Sequence, residues 1–553
     1  MQSPFVEDQN LQSTFPTLSP EQLEHMRKVG RVRRVSAGET LLAPGDTHPR
    51  MYAVLSGSIE VLRPGAEAEV LIVVHHAGQF SGEVNMLTGR PAMARIRARE
   101  DSEVIEIERP AVLQLVQTDA EVGDILLRSF ILRRVALIAH GLGDAVLVGS
   151  THCAGTLRIK EFLTRNGHPF NTIDLDTDQA AQALLDHFGI PLADVPVVIW
   201  RGQTVLRNPT NSEIADCLGF NTGVDMGALR DVVIVGAGPA GLGAAVYGAS
   251  EGLDTLVVET TAPGGQAGSS SRIENYLGFP NGITGQDLAS RPYAQAQKFG
   301  AGVVVATRAV KLMCERKPYA IQIDDGQRIP TRAVIVATGA QYRRPAIARL
   351  ADFDGAGVYY GATFLEAQLC KAEEIAIIGG GNSAGQAAVF LAETCKHVHV
   401  LIRSHGLAES MSRYLIRRIE GNASITLHTE TEVVGLDGKN HLEQVTWRGA
   451  DGAEERRPIR HLFVMAGAVP STTWLGSCLA CDEKGFIKTG TDLTQEDLTN
   501  AAWPLTRSPL PLETSLPGVF AVGDARSGSM KRVASAVGEG AGAISLVHQY
   551  LRS

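Results

Sequence analysis

The sequence predicts a multidomain chain in three parts: a small antiparallel β-barrel with flanking helices, an α/β domain, and an α/β module built from two dinucleotide-binding folds. Three observations carry this. Residues 231–245 read DVVIVGAGPAGLGAA, an apolar strand running into glycines at G-x-G-x-x-G spacing and then a small-residue helix. Residues 375–384 read IAIIGGGNSA, the same arrangement in G-x-G-x-x-A form. Upstream of both, residues 36–62 alternate apolar and polar side chains between Gly38, Gly45 and Gly57, as short antiparallel strands do.

The first part spans residues 15–143, with helices expected at 22–29 and 111–138 around the strands. Its order of helix, strand-rich core with G-E, P-G-D and Y-x-V-x-x-G, then helices resembles the cyclic-nucleotide-binding domain family. Residues 80–83 (FSGE) resemble the start of that family's phosphate cassette, which makes Glu83 the candidate for a ribose hydroxyl. The family's phosphate-binding arginine follows Pro91, and here that position is Ala92. Without a guanidinium there, a cyclic phosphate loses its bidentate partner. Arg90 and Arg95 are the neighbouring candidates to replace it. The resemblance therefore implies either a cyclic-nucleotide site or a scaffold kept for docking.

The second part, residues 144–224, reads as strand (144–150), helix (157–166), strand (170–176), helix (179–188) and strand (195–200). This order resembles the thioredoxin/glutaredoxin fold, with Pro196 where that family carries a cis-proline. At the first strand-to-helix turn the family has C-x-x-C; here Cys153 begins C-A-G-T. Cys153 keeps a potential nucleophile at a helix N-terminus, where the dipole favours thiolate, but lacks a resolving partner. Cys217 reads as packing in a later helix.

The third part begins with the strand–glycine–helix unit. Gly236 makes the tight turn, Gly238 lets backbone approach a pyrophosphate, and Gly241 allows helix to pack on strand. The helix opened by Pro239 and Ala240 offers free N–H groups to phosphate. About 20 residues on, Glu259 ends the second strand, where a carboxylate accepts ribose hydroxyls. The runs that follow resemble the thioredoxin reductase family: GGQ at 264–266, EN at 274–275, ATGA at 337–340, AGAVPST at 466–472, GVFAVGD at 518–524 and KRVA at 531–534. The resemblance implies FAD held by Gly236, Gly238, Pro239, Ala240, Gly241, Glu259, Gly264, Gly265, Gln266, Asn275, Ala337, Gly339, Gly523, Asp524, Arg532, Val533 and Ala534. It divides the module into 228–346 (FAD, first half), 347–468 (NADPH) and 469–553 (FAD, second half).

In the second dinucleotide motif Gly379, Gly381, Asn382, Ser383 and Ala384 would hold the nicotinamide nucleotide. Its next strand leads to Arg403, not an acid, and a cation suits a 2′-phosphate, so NADPH is expected over NADH. The family carries two consecutive arginines here; the second is Ser404, with Arg413 a helper further along. The family's redox dithiol is absent: Tyr360 to Phe364 read Y-G-A-T-F, so Gly361 and Phe364 replace both cysteines. Cys478 and Cys481 form a C-x-x-C elsewhere, in an expected surface hairpin, while Cys314, Cys370 and Cys395 read as isolated packing cysteines.

Composition bounds the rest. The 553 residues carry 44% hydrophobic side chains and a formal charge of −9, with no Lys/Arg block, so no nucleic-acid polymer is expected. The acidic N-terminus lacks a basic-then-apolar leader and no run of 18 apolar residues occurs, so no membrane is expected. Seven cysteines without a framework fit a reducing cytoplasm. No metal site is expected. The expectation is a cytoplasmic, homodimeric FAD enzyme that takes hydride from NADPH and serves an unidentified acceptor: a protein disulfide, a small redox protein or a small molecule. Catalytic thiols, if any, are Cys153, Cys478 or Cys481. The rivals are a ferredoxin or flavodoxin reductase, a disulfide reductase using those thiols, and a flavin- or nucleotide-responsive sensor.

Overall fold

The computed structural model describes residues 11–552 apart from 64–68, 83–84, 140–142, 151–152, 177, 179–184, 187–188, 192–193, 202–203, 271, 363 and 440. Glu83 and most of the helix expected over 179–188 lie outside the described residues.

Helix Pro20–Val29 opens the barrel part, and its start is set by a reciprocal cap. The Gln22 N–H donates to Ser19 Oγ (3.2 Å), and the Ser19 N–H to Gln22 Oε1 (2.8 Å). Two antiparallel sheets follow. One orders Arg31–Val35, Ser102–Glu108 and Arg50–Ser56; the other orders Thr40–Leu42, Arg95–Ala98, Ser58–Arg63 and Val70–His76. The single helix expected over 111–138 is two, Arg109–Thr118 and Ala120–Ala139, broken at Asp119. Its carboxylate accepts the Val122 and Glu121 N–H groups (3.0 and 3.2 Å) and so starts the second helix.

The middle part is a mixed four-stranded sheet, Thr204–Arg207, Val197–Trp200, Ala145–Gly149 and Phe170–Asp174, with the last two parallel. Helices Ala154–Arg165 and Asn211–Cys217 pack on it, and the Val195–Pro196 bond is cis. Its core is not separate. Ile159, Phe162, Val198, Ile214 and Phe220 belong to one buried cluster with Val232, Ile234 and Ile335 of the next part. The buried Asp144 carboxylate ties this region together, accepting from His168 Nε2 (3.1 Å), Trp200 Nε1 (2.9 Å) and Arg201 Nε (3.1 Å). Burial alone would raise its pKa, but the bonds from His168, Arg201 and Trp200 outweigh that and hold it below the usual carboxylate range.

In the third part a seven-stranded sheet runs Gly302–Val304, Thr255–Val258, Arg230–Val235, Arg328–Val336, Tyr319–Ile323 and Ala309–Met313, with Val519–Ala521 also on Arg328–Val336. The long strand Arg328–Val336 is antiparallel to Tyr319–Ile323 at its start and parallel to Val519–Ala521 at its end, so the C-terminal segment returns beside the first glycine loop. Helix Val533–Arg552 packs on helix Pro239–Ser250 through small residues; a Cβ on Gly540 would lie 2.0 Å from the Ala240 carbonyl oxygen. A second, five-stranded parallel sheet orders Val358–Tyr359, Leu462–Val464, Glu374–Ile378, His397–Leu401 and Ile425–His428. The two sheets are joined by the antiparallel pair Ala340–Tyr342 and Ala468–Pro470. Among the described residues no helix is long and apolar enough to cross a membrane.

Candidate active site

The first glycine loop is shaped by steric demands that only glycine meets. Gly236 has φ +105°, and a Cβ there would lie 2.4 Å from the Ala337 carbonyl oxygen. A Cβ on Gly241 would lie 1.8 Å from the Gly236 carbonyl oxygen, so helix and strand touch at this point. Gly238 differs. It caps helix Pro239–Ser250 at φ −70° with no side chain closing the helix end, and its nearest neighbour is Gly265 Cα. Gly238 thus fronts an open cradle whose amides point at whatever enters.

Four segments meet at this cradle. Glu259 accepts the Ala237 N–H at Oε2 (2.7 Å) and the Thr261 N–H at Oε1 (2.9 Å), which fixes the acid beside the loop with lone pairs to spare. The Gly264 N–H donates to the Ala237 carbonyl (2.8 Å), and Gln266 Nε2 to the Ala340 carbonyl (3.0 Å). From the C-terminal segment, a Cβ on Gly523 would meet Ala240 Cβ at 3.0 Å, and the Gly523 N–H donates to Glu539 Oε2 (2.7 Å). Val533 and Ala534 open the helix that carries Glu539, whereas Asn275 and Arg532 are exposed, with no contact among the described residues tying their side chains to the cradle.

Two polar groups here await partners, which tests whether the residues fit a flavin nucleotide. Thr338 Oγ1, between Ala337 and Gly339, is buried with no hydrogen-bond partner among the described residues. Asp524 has no protein hydrogen bond among the described residues; burial lifts its pKa, Lys531 opposes this, and Glu539 adds to it. A glycine cradle at a helix start, an anchored acid and an unpartnered hydroxyl and carboxyl suit the pyrophosphate, ribose and ribityl groups of FAD.

The second motif repeats the geometry. Gly379 has φ +139°, and a Cβ there would lie 2.4 Å from the Met465 carbonyl oxygen. Gly381 caps helix Asn382–Leu391 without a side-chain cap. Ser383 is exposed beside it, while Ala384 is buried in the core. The loop after strand His397–Leu401 folds back: Ser410 Oγ donates to the Gly380 carbonyl (2.8 Å), and the Ser412 N–H to Asn382 Oδ1 (2.8 Å). Arg403 leaves this strand, and Arg413 begins helix Arg413–Glu420 right after Ser412. Both arginines are exposed and without an ion pair among the described residues. Ser412 Oγ is buried and without a hydrogen-bond partner among the described residues.

The thiols are arranged differently from expectation. Cys478 is disulfide-bonded to Cys314 (S–S 2.01 Å), not to Cys481, which is free and exposed. The C-x-x-C pair Cys478–Cys481 is therefore not present as a disulfide, and Cys314 is not an isolated packing residue. The cause is tertiary: strand Ala309–Met313 packs against turn Thr473–Leu475, bringing together cysteines 164 residues apart. Nor are Cys370 and Cys395 isolated. Both are buried, and a thiol–thiol hydrogen bond to Cys395 together with burial drives the Cys370 pKa far up.

Cys153 caps helix Ala154–Arg165 and is partly exposed. Pro196 lies against the next turn, since a Cβ on Gly155 would be 3.1 Å from its ring. Thr156 Oγ1, at the fourth position of C-A-G-T, is buried and without a hydrogen-bond partner among the described residues. A Cβ on Gly355 would lie 3.1 Å from Ala154 Cβ, so this helix start abuts the loop leading to Tyr360 and Gly361. Tyr360 Oη donates to Asp354 Oδ1 (2.9 Å), which also pairs with Arg344 (2.8 Å). Around Gly361 a Cβ would meet nothing within 4 Å. Sequence reasoning missed this contact, because nothing local in either segment signals it.

In the barrel, Arg90 and Arg95 do not replace the missing arginine. Arg90 is buried 4.0 Å over the Phe220 ring and donates to the Asn166 carbonyl (3.2 Å), so it joins barrel to middle part. Arg95 pairs with Glu69 at 2.6 Å.

The comparisons with known proteins bear on the same regions. Residues 230–540 match the pyridine nucleotide-disulphide oxidoreductase model, and residues 32–119 the cyclic nucleotide-binding domain model. A thioredoxin reductase of Listeria innocua is 32% identical over 313 residues, 56% of this chain and 91% of the relative. NADPH-dependent thioredoxin reductase 3 of Arabidopsis thaliana is 30% identical over 370 residues, 64% of this chain and 66% of the relative. The solved Lactococcus lactis thioredoxin reductase superposes with a TM-score of 0.52 at 26% identity, over 58% of this chain and 99% of that one. With a cyclic nucleotide-binding domain ahead of it, the chain belongs to the pyridine nucleotide-disulphide oxidoreductase family, as a flavoprotein oxidoreductase of the thioredoxin reductase kind, which works with FAD and NADPH.

Proposed function

We propose that this chain oxidises NADPH and serves an acceptor without a protein dithiol beside the flavin. The observation that carries this reading is the pair Gly361 and Phe364, which stand where the family keeps its two cysteines. FAD, when bound, accepts a hydride from NADPH and releases electrons in pairs or singly. The chain's own residues bind and orient. Gly236, Gly238 and Gly241 admit the pyrophosphate, Glu259 takes the adenosine ribose, and Asp524 and Thr338 meet the remaining polar groups. Gly379, Gly381 and Asn382 hold the nicotinamide nucleotide, and Arg403 with Arg413 selects its 2′-phosphate, supported by their exposure and by the absence of an ion pair to either among the described residues. The parts run 15–143, 144–224, and 228–553, the last split at 346 and 468.

Cysteine-free transfer suits a small redox protein such as a ferredoxin or flavodoxin, or a small molecule. A second reading has one specific observation in its favour. The middle part, read as thioredoxin/glutaredoxin-like with cis-Pro196, places Cys153 at a helix start that abuts the loop before Gly361. A single thiol there could open a disulfide substrate: its thiolate bonds to one sulfur as the S–S bond breaks, the other sulfur leaves as a thiol after taking a proton, and two electrons from NADPH would then cleave the mixed disulfide and restore the thiol. An acceptor screen following NADPH absorbance, run on the holoenzyme and on Cys153→Ser, tests the proposal. Retained turnover with flavodoxin-type or small-molecule acceptors supports it. Turnover with disulfides alone, lost in Cys153→Ser, would replace it by the second reading.

A further inference from the structure

The loop that brings Gly264 and Gly265 to the cradle is built on two successive glycines at positive φ, +106° and +53°. Glycines lose more chain entropy on ordering than any other residue, so outside contacts decide how well this loop is defined. A Cβ on Gly265 would meet Gly238 Cα at 3.0 Å, so a displaced loop alters the cradle directly.

Such contacts come from the middle part, whose helix Ala154–Arg165 ends against this loop. Arg165, with a side chain 14% exposed, donates from Nη2 to the Gly265 carbonyl (3.0 Å) and reaches the Ala262 carbonyl (3.5 Å). Its Nη1 is held by Glu161 (3.2 Å), one turn back on the same helix. Asn166, 4% exposed, donates from Nδ2 to the Phe162 carbonyl (2.9 Å) and to the Thr261 carbonyl (3.2 Å). The Thr261 N–H in turn holds Glu259, the acid beside the glycine loop, at 2.9 Å. From the other side, Gln286 Nε2 donates to the Thr164 and Arg165 carbonyls, each at 3.3 Å. Thr261, Ala262 and Gly265 thus hang on two consecutive residues that lie outside the matched oxidoreductase region 230–540.

We propose that Arg165 and Asn166 are positioning residues for FAD, so that the middle part supplies the outer brace of the flavin nucleotide site; this rests on the reading of the glycine cradle as that site. Both act through loop carbonyls. Arg165 sets Gly265 against Gly238, and Asn166 sets Thr261 and, through it, Glu259. A guanidinium suits the first task because its fork of donors spans two carbonyls. The loop is then already ordered when FAD arrives, and its ordering cost is not drawn from binding.

FAD is titrated into the stripped full-length protein at room temperature, followed by flavin fluorescence, and the same flavin-free proteins are melted. Arg165→Met keeps the stem and removes the fork. It should weaken FAD about tenfold or more, and Asn166→Leu about threefold, the effects of one charged and one neutral hydrogen bond. Lost global stability alone lowers the melt but leaves the affinity of the folded protein unchanged, so the affinity reads positioning. Gln117→Ala is the control: it removes a bond from the barrel to the Lys298 carbonyl, at the far end of helix Gly285–Lys298, and should leave FAD affinity unchanged. Should Arg165→Met not fold, Arg165→Lys, charged but without the fork, should still weaken FAD about twofold or more. Wild-type affinity in the folded Arg165 variant, or an equal loss in Gln117→Ala, would overturn the proposal. Gly238→Val separates the brace from the cradle. FAD lost there but bound normally by the Arg165 variant sinks the brace alone, whereas FAD kept in Gly238→Val sinks the cradle and the brace with it.

Discussion

Replacing Gly238 by valine should separate cofactor binding from folding. Gly238 has φ −70°, which any L-residue adopts, and a Cβ there meets nothing closer than Gly265 Cα at 3.9 Å. The cost to the fold is that of a poorer helix cap, about 1 kcal/mol. The cost to FAD is larger, because the side chain fills the approach to the helix amides. Losing two charge-assisted bonds from backbone to pyrophosphate, at about 1.5–3 kcal/mol each, weakens FAD by ~150-fold or more. Gly241→Ala is the contrast, since its Cβ would lie 1.8 Å from the Gly236 carbonyl oxygen and must displace backbone. Flavin-to-protein absorbance ratios, FAD titration of the stripped proteins and thermal melts measure both. Gly238→Val should be colourless and folded, with the melt of the stripped wild type nearly kept, and Gly241→Ala should melt early. Full flavin occupancy in Gly238→Val, or a melt as low as that of Gly241→Ala, would refute the assignment of the cradle.

The remaining predictions concern charges. Arg403→Ala should raise KM for NADPH by ~10- to 150-fold, the worth of one charge-assisted bond, and leave NADH unchanged in steady-state kinetics. Asp524 has a raised folded pKa, so its contribution favours folding at acid pH and is lost as pH rises through that pKa. Asp524→Asn should therefore raise the melting temperature of flavin-free protein at pH 7 while weakening FAD. Asp144 has the opposite sign: its folded pKa is depressed, so its stabilisation is present above about pH 4 and lost as pH falls through the folded value. Asp144→Ala strands the buried His168 and Arg201 and should cost about 3–5 kcal/mol in urea unfolding at pH 7.

What the sequence discloses and what it hides follow from how local each constraint is. The glycine loops are legible because the turn at Gly236, the contact at Gly241 and the acid at Glu259 are fixed within one strand–helix–strand unit. Pro196 is legible for the same reason, lying at the start of an apolar strand, and its bond is cis. Pairings between distant segments leave no local mark. The Cys314–Cys478 disulfide spans 164 residues and arises because a strand and a turn share one face of the larger sheet. Arg90, placed by sequence near the barrel's ligand, is drawn instead onto Phe220 of the middle part. The contact between Ala154 and Gly355 is likewise invisible until both folds are assembled.

Stopped-flow reduction and reoxidation of the flavin in Cys153→Ser, with NADPH and an artificial acceptor and then with the acceptor found by screening, tests the central claim most directly. The account predicts flavin reduction and acceptor-dependent reoxidation at rates close to wild type. Normal reduction followed by loss of reoxidation by the screened acceptor would place the Cys153 thiol on the electron path and contradict a route free of protein cysteines.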